Sequence, residues 1–341
     1  MIKIYDTSYS FVSVVDSYKD MCVKTVLETG TKSLSFKLPM TPEFIGMISE
    51  EYYVETADYN YVVKEIIMDT NDFFTVYCNA NLEDFKGNIL PTFDALDISV
   101  ESCIKKIIDE LQLPWAVVMY SSLKDKVEYK LKQATVYECL QQVKEDYGLE
   151  YWFDTKNKKL RVYDAIGNDK GMCFMNELRL KSLSRQGQSY DFATVLYPIG
   201  KDGLTIADVN NGKQYIENHD YSQKKITAYY ENEDIEYAED LKRKAEEYLA
   251  VIASPVGSYK VELSSLPPGI NIGDNIILID NIKKIRQKQR VVKIINYPDS
   301  PEKDTVELSN EVVDFAKTFV KFNSEYRKTI KYVKQNLTEL K

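Results

Sequence analysis

Histidine is almost absent from this chain: His219 is the only one among 341 residues. Its flanks, Glu217-Asn218-His219-Asp220, read as an exposed polar turn, and no G-x-S-x-G precedes it. A Ser-His-Asp or Cys-His centre would depend on this one imidazole, and an H-E-x-x-H zinc site needs two. Paired thiols are lacking as well. Cys22, Cys78, Cys103, Cys139 and Cys173 are odd in number and include no C-x-x-C, which argues against a disulfide framework or zinc site and for free, mostly buried thiols. There is no Walker loop and no G-x-G-x-x-G. Gly200-Lys201-Asp202-Gly203 has only two glycines and no helix signal after it, so it is not read as a phosphate cradle. Long apolar runs are missing too: the longest without charge, Leu111 to Leu123, contains Gln112 and Pro114 and falls short of the ~20 residues that span a bilayer. The opening residues, Met1 to Phe11, have no basic segment leading into an apolar one, so no secretory signal is expected and synthesis in a cytosol is.

Positive charge is in deficit, with a net charge of -9. Proteins that grip nucleic acid usually present a basic face. Lys283, Lys284, Arg286, Lys288 and Arg290 do cluster, but they alternate with apolar residues entering a strand and read as its solvated face. Neighbouring acids such as Asp94 with Asp97, or Glu231 with Glu233 and Asp234, have the residue types of a glycosidase pair. Among 53 acidic residues such neighbours arise freely, so surface solvation is the reading. No catalytic residue, cofactor or metal site is expected, and the chain is not read as an enzyme.

Tyrosine is abundant, at 26 residues. Its flat body buries area while its hydroxyl stays satisfiable, which suits interfaces. High β-propensity explains the same abundance equally well.

The length points to two to four domains. Alternation over Met1 to Tyr5, Ser33 to Pro39, Tyr52 to Thr56, Tyr61 to Ile67 and Phe73 to Cys78, with turns at Ala57-Asp58 and Thr70-Asn71-Asp72, predicts a β-meander or small barrel. Gly87 to Ser99 reads as a boundary. Val100, Cys103, Ile104, Ile107, Ile108 and Leu111 then recur at helical spacing behind a capping Ser99, and a strand follows at Trp115 to Met119. Thr135-Val136-Tyr137-Glu138 has the form of a capping box opening a second helix that Gly148 stops, with strands at Leu149 to Asp154 and Leu160 to Tyr163. Val100, Cys103, Ile104 and Ile107 match Val136, Cys139, Leu140 and Val143 at a constant offset of 36, from an internal duplication or from two ordinary amphipathic helices. Strand patterns return at Leu178 to Leu183 and Ala193 to Tyr197. A helix is predicted at Ile235 to Ala253, then strands at Tyr259 to Leu263, Gly273 to Ile279, Val291 to Ile295 and Thr305 to Leu308. From Glu311 a helix is predicted whose apolar positions step by three or four, as in a coiled-coil seam or a helix packed on its own domain.

The expected fold is therefore α+β, mostly β. Two β-barrel-like domains, at 1–90 and 171–310, flank an inserted helix-strand domain at 97–170; residues 201–254 form an excursion and 311–341 a C-terminal helix.

Asp191-Phe192-Ala193-Thr194-Val195-Leu196-Tyr197-Pro198-Ile199-Gly200-Lys201-Asp202-Gly203-Leu204-Thr205-Ile206, followed by Val209-Asn210-Asn211-Gly212-Lys213-Gln214-Tyr215-Ile216-Glu217-Asn218, resembles the central signature of the prophage tail protein family, the tail-associated baseplate hubs of tailed phages. Tyr197, Gly200, Gly203, Asn210 and Gly212 mark it here. The resemblance implies a fold similar to the hubs of contractile-tail baseplates and type VI secretion spikes, in which two barrel-like domains per chain sit in a trimer. It implies a homotrimer at the virion tail tip, assembled in the host bacterial cytoplasm, that closes the tail tube and docks on the distal tail ring protein. Other implied neighbours are the tail tube or tape-measure protein and, indirectly, the host cell envelope. DNA would pass through without stable binding, past a lumen whose carboxylates repel phosphate. Many family members are called endopeptidases because a cell-wall-cleaving domain follows the hub. This sequence ends at Lys341 within a helical pattern, so that activity is not carried over. The alternatives are a cell-wall-degrading endopeptidase and a glycan- or receptor-binding tail module.

Overall fold

The computed structural model describes residues 1–68, 72–175, 180–188, 192–233, 235–253, 256–263, 267–280 and 285–309. The architecture is α+β and mostly β. The first strands, β1 (Ile2–Tyr5), β2 (Phe11–Val15), β3 (Lys19–Val26), β4 (Thr31–Pro39), β5 (Tyr53–Glu55), β6 (Asn60–Ile67) and β7 (Phe73–Ala80), pair antiparallel in the order 2-1-5-6-7-4-3, with helix α1 (Pro42–Gly46) between β4 and β5. Strand β4 shows why the pattern is readable: Leu34, Phe36 and Leu38 are buried while Ser35 and Lys37 between them are not. Strands β2 and β3 bury little beyond Val15 and Met21, and they carry no clean period of two.

Next come helix α2 (Glu83–Lys86), β8 (Ile89–Ser99), α3 (Val100–Asp109), β9 (Ala116–Met119), β10 (Lys126–Thr135), α4 (Val136–Asp146), β11 (Glu150–Asp154) and β12 (Lys159–Tyr163). Gly87 to Ser99, expected as a boundary, is largely strand β8, paired antiparallel with β10. The two form a sheet of their own, and Pro91, Asp94 and Asp97 lie at exposed positions of β8, which gives a strand the composition of a linker. The offset of 36 extends beyond the helices. Strand β8 runs into α3 as β10 runs into α4, and the register sets Asp94 opposite Lys130, the same offset, near the middle of both strands.

Both helix starts are capped as their sequences predict. The Ser99 side chain accepts from the Ser102 N–H, and Thr135 with Glu138 forms a complete capping box. Val100, Cys103, Ile104, Ile107 and Ile108 of α3, with Val136, Cys139, Leu140 and Val143 of α4, fill one core with Tyr151, Phe153, Leu160 and Val162. Each large aliphatic side chain buried there contributes about 1.5–3 kcal/mol. Thr135→Ala removes the acceptor for an otherwise unbonded helix N–H. It is expected to lower stability by about 1 kcal/mol in urea unfolding, and Thr135→Ser to lower it far less.

The remaining elements are β13 (Asp169–Met175), β14 (Leu180–Gln188), β15 (Val195–Ile199), β16 (Ile216–Glu217), β17 (Thr227–Glu231), α5 (Ala238–Ile252), β18 (Val256–Leu263), β19 (Asn275–Asp280), β20 (Ile285–Asn296) and β21 (Thr305–Ser309). The two β sets were expected as separate barrel-like domains. Strand β20, at 12 residues, is long enough to join them. It pairs with β19 along Ile285 to Arg290 and with β3 along Lys293 to Asn296, while β21 pairs from Arg290 to Ile295. Both sets therefore share a 13-stranded sheet, and among the described residues no pairing closes either into a ring. Ala193 to Tyr197 was expected in the second set as well. Its strand β15 lies instead between β16 and β17, where Leu196, Ile206 and Tyr230 pack on Leu241, Ala245, Leu249 and Ile252 of α5.

The chain divides into two compact units, Met1–Ser184 with Tyr259–Ser309, and a second that holds Arg185–Ser258. Within the first, several junctions fasten the helix-strand region to the large sheet, among them the bonds of Asn60 with Thr155 and the two that follow. At one, the β3–β4 turn meets β11: Phe153 N–H donates to Gly30 O at 2.9 Å, and the buried Lys144 ammonium donates to Glu28 O. Burial pulls the Lys144 pKa below its ordinary value. At the other, Arg290 makes two hydrogen bonds to Glu150, at 2.6 and 2.7 Å, and donates to the carbonyls of Gly273 and Ile166. The expected helix at 311–341 and the turn residues Thr70 and Asn71 lie outside the described residues.

Candidate functional site

The signature residues are brought together in the second unit, on and after β15. Gly203 and Gly212 have φ of +83° and +80°, left-handed values that glycine adopts without strain. Gly200 is fixed by space: a Cβ there would lie 2.8 Å from Ile235 O. The Asn210 carboxamide donates to Lys213 O at 3.1 Å and Tyr215 O at 2.9 Å, closing the turn that contains Gly212. These four residues shape backbone. Tyr197 differs, because it stands in β15 opposite Tyr229 of β17, with ring centroids 5.9 Å apart, and meets Tyr215 at 5.3 Å. Lys213 and Lys225 lie over the Tyr215 ring, and Tyr229 is 64% exposed. The signature thus holds a group of tyrosines on a small sheet.

The residues weighed for chemistry are not brought together. His219 Nδ1 faces Ser222 O at 3.0 Å within its turn, and Nε2 lies 3.9 Å from a Glu217 carboxylate oxygen. Asp97 occupies the bulge of β8 with φ +53° and pairs with Lys126 at 2.7 Å, and Asp94 stands on the same exposed strand. Glu231 and Glu233 are exposed, and Asp234 lies outside the described residues. Cys78, Cys103 and Cys139 are buried, Cys22 is half-buried and Cys173 exposed. Burial pushes the Cys103 thiol up to about 12 and Cys139 to about 11, so neither supplies a thiolate near neutral pH. Among the described residues, no group of His, Cys, Asp and Glu is placed to hold a metal, and no helix is long and apolar enough to cross a membrane.

The basic cluster separates. Lys283 and Lys284 lie outside the described residues, Arg286 is exposed, and Lys288 pairs with Asp169 at the surface. Arg290 was read on the solvated face, but it is drawn inside by Glu150.

Tyrosine is found both in the core and at the surface. Tyr59, Tyr61 and Tyr151 are core residues, while Tyr9, Tyr120, Tyr221, Tyr229 and Tyr237 are more than half exposed. Tyr9 sits 4.3 Å from Tyr53 and 5.7 Å from Tyr5, beside β2, the last strand of the large sheet. That edge strand, Phe11-Val12-Ser13-Val14-Val15, has no charge or proline, and Phe11, Val12 and Val14 are exposed. Natural edges normally carry such guards against pairing with another chain. The signal in the sequence is this uncharged β-branched run, which does not alternate apolar with polar residues.

Residues 168–319 match the family model described as prophage endopeptidase tail. No curated protein matches the sequence. Among solved structures, the chain is similar to the prophage tail protein gp18 of Listeria monocytogenes EGD-e, at 16% identity and TM-score 0.68, covering 94% of this chain and 98% of that one. It is also similar to the 43 kDa tail protein of prophage MuSo2 from Shewanella oneidensis, at 12% identity and TM-score 0.66, covering 90% and 97%. A chain of the Francisella PdpA-VgrG complex aligns at 13% identity and TM-score 0.51, covering 90% of this chain and 57% of that one. The family model thus covers residues 168–319, less than half of the chain, and along nearly the whole chain the fold is similar to that of these prophage tail proteins.

Proposed function

We propose that the protein is a structural component of a phage or prophage tail tip that forms a homotrimer, closes the tail tube and docks on the distal tail ring protein, leaving an exit path for DNA. The tail tube or tape-measure protein would be a further neighbour, with assembly in the host cytoplasm and only indirect contact with the host envelope. The observation that carries this reading is the family match over residues 168–319 on a fold similar to prophage tail proteins over 90–94% of the chain. The unguarded β2 edge and the exposed tyrosines support association with other chains. Tyr197, Gly200, Gly203, Asn210 and Gly212 would serve assembly by holding a surface. The net charge of -9 suits a conduit that releases DNA.

The word endopeptidase in the family's description raises a second reading, cell-wall cleavage. His219 held in its own turn, the burial of Cys78, Cys103 and Cys139, and the exposure of Asp94 and Asp97 give it no support. Light scattering across a wide concentration range is expected to give the mass of three chains, and incubation with purified Gram-positive cell walls to release no muropeptides. A single-chain mass throughout would count against the trimer. Release of muropeptides, abolished by one Asp or Glu substitution, would replace the structural reading with the enzymatic one.

A further inference from the structure

A cleft of about 810 Å³ lies within the first unit, far from the signature in sequence. That is within the range of small-ligand sites. One wall is the outer face of the β11–β12 hairpin. The hairpin's inner residues Tyr151, Phe153, Leu160 and Val162 are core, so the alternating Trp152, Arg161 and Tyr163 face outward from a rigid base. Trp152 and Arg161 are directly opposed across the two strands. The Tyr163 ring is held flat by Tyr120, with centroids 4.7 Å apart and planes 9° from parallel. Lys32 and Asp58 stand among the other lining residues, and Asn168 adds a carboxamide.

Charge decides the ligand class. Each side-chain cation here already has its carboxylate: Lys32 has Asp58 at 2.5 Å, and Arg161 has Asp154 at 2.6 Å. No excess of positive side chains remains for a phosphate or an acidic peptide. What is on offer is flat aromatic surface and aliphatic side chains, Leu34, Ile270 and Ile272 among them, beside charge-balanced donors and acceptors. The negative face of an aromatic ring attracts the C–H face of a pyranose, and the polar groups match its hydroxyls. We infer that this cleft is a binding site for a neutral oligosaccharide, lying against Trp152 and Tyr163. The inference does not rest on the assembly proposed above, because every residue of the cleft comes from one chain.

The two tryptophans give the test its internal control, since Trp115 is 5% exposed in the core and Trp152 lines the cleft. The whole protein is titrated with tetrasaccharides of β-1,4-linked N-acetylglucosamine, α-1,4-linked glucose and β-1,3-linked glucose, followed by tryptophan emission and calorimetry. One of them is expected to bind with a dissociation constant near 1 mM or tighter, and Tyr163→Ala and Arg161→Ala to weaken it by about tenfold each. An unchanged melting temperature in Arg161→Ala keeps loss of binding distinct from loss of fold. Three results would overturn the site: silence with all three sugars, binding that Tyr163→Ala leaves intact, or preference for an anionic heparin tetrasaccharide. Trp152 emission that changes on diluting the protein alone would also overturn it, and would assign the cleft to a contact between copies.

Discussion

Replacing Gly30 by alanine is expected to destabilise the protein by about 4 kcal/mol or more, beyond the usual cost of a single substitution. Gly30 sits at the β3–β4 turn with φ +62°, and an added Cβ would lie 1.8 Å from Tyr151 O and 2.6 Å from Tyr151 C. Neither side has room to yield. Gly30 N–H is held by the carbonyls of Val26 and Leu27, its own carbonyl accepts from Phe153, and the Tyr151 and Phe153 side chains are fully buried. Gly148 supplies the control. Its φ of +60° is nearly the same, but nothing lies within 4 Å of its would-be Cβ. Gly148→Ala should therefore cost only the left-handed strain of about 1–2 kcal/mol. Urea unfolding of the two variants, followed by tryptophan emission, separates the two costs. Equal losses would mean that conformation, and not the close approach to β11, is what requires glycine at position 30.

Glu150→Gln is the second large effect expected, at about 3–5 kcal/mol. Glu150 and Arg290 are 5% and 12% exposed and bonded at both guanidinium nitrogens, so neutralising one leaves the other charge buried without its partner. The carboxylate also accepts from the Ile166 N–H at 2.6 Å, which the amide replaces poorly. Lys288→Ala, two positions along the same strand, removes an ion pair with both side chains more than half exposed and should change stability by less than about 1 kcal/mol. The double change Glu150→Gln with Arg290→Met is expected to cost less than the two single changes added together, because it removes both charges. A sum that simply adds would show that the two side chains act independently and that the network is not a coupled pair.

Much of the local structure was legible because it depends on neighbours in sequence. Period-two alternation located β4, β6 and β7, and helical spacing with a capping residue located α3 and α4 to within a residue or so. Strands β2 and β3 lacked a signal because few or irregularly spaced positions of each face a core, whereas β10 does alternate, with Val127, Tyr129 and Leu131 on its core side. Strand β8 was hidden by proline and aspartate on its exposed face. Of the signature residues, the glycines and Asn210 could be read as turn formers, but the grouping of Tyr197 with Tyr215 and Tyr229 depends on parallel pairing of β15 with β17. The cleft was not legible at all. Trp152 and Arg161 lie nine positions apart as cross-strand partners, and Lys32 and Asp58 come from elsewhere in the chain.

By itself, the sequence determined the mostly β class, the capped helices, the poverty in catalytic groups and the family signature, since residue type and short-range spacing set each of these. Only the tertiary structure decided that the two β sets share one sheet through β3 and β20, that Arg290 is an internal clamp and not a surface charge, and that Gly30 needs to be glycine. Each of those follows from a contact between residues more than a hundred positions apart. Such contacts are selected by the packing of whole elements, and no local pattern of residues records them.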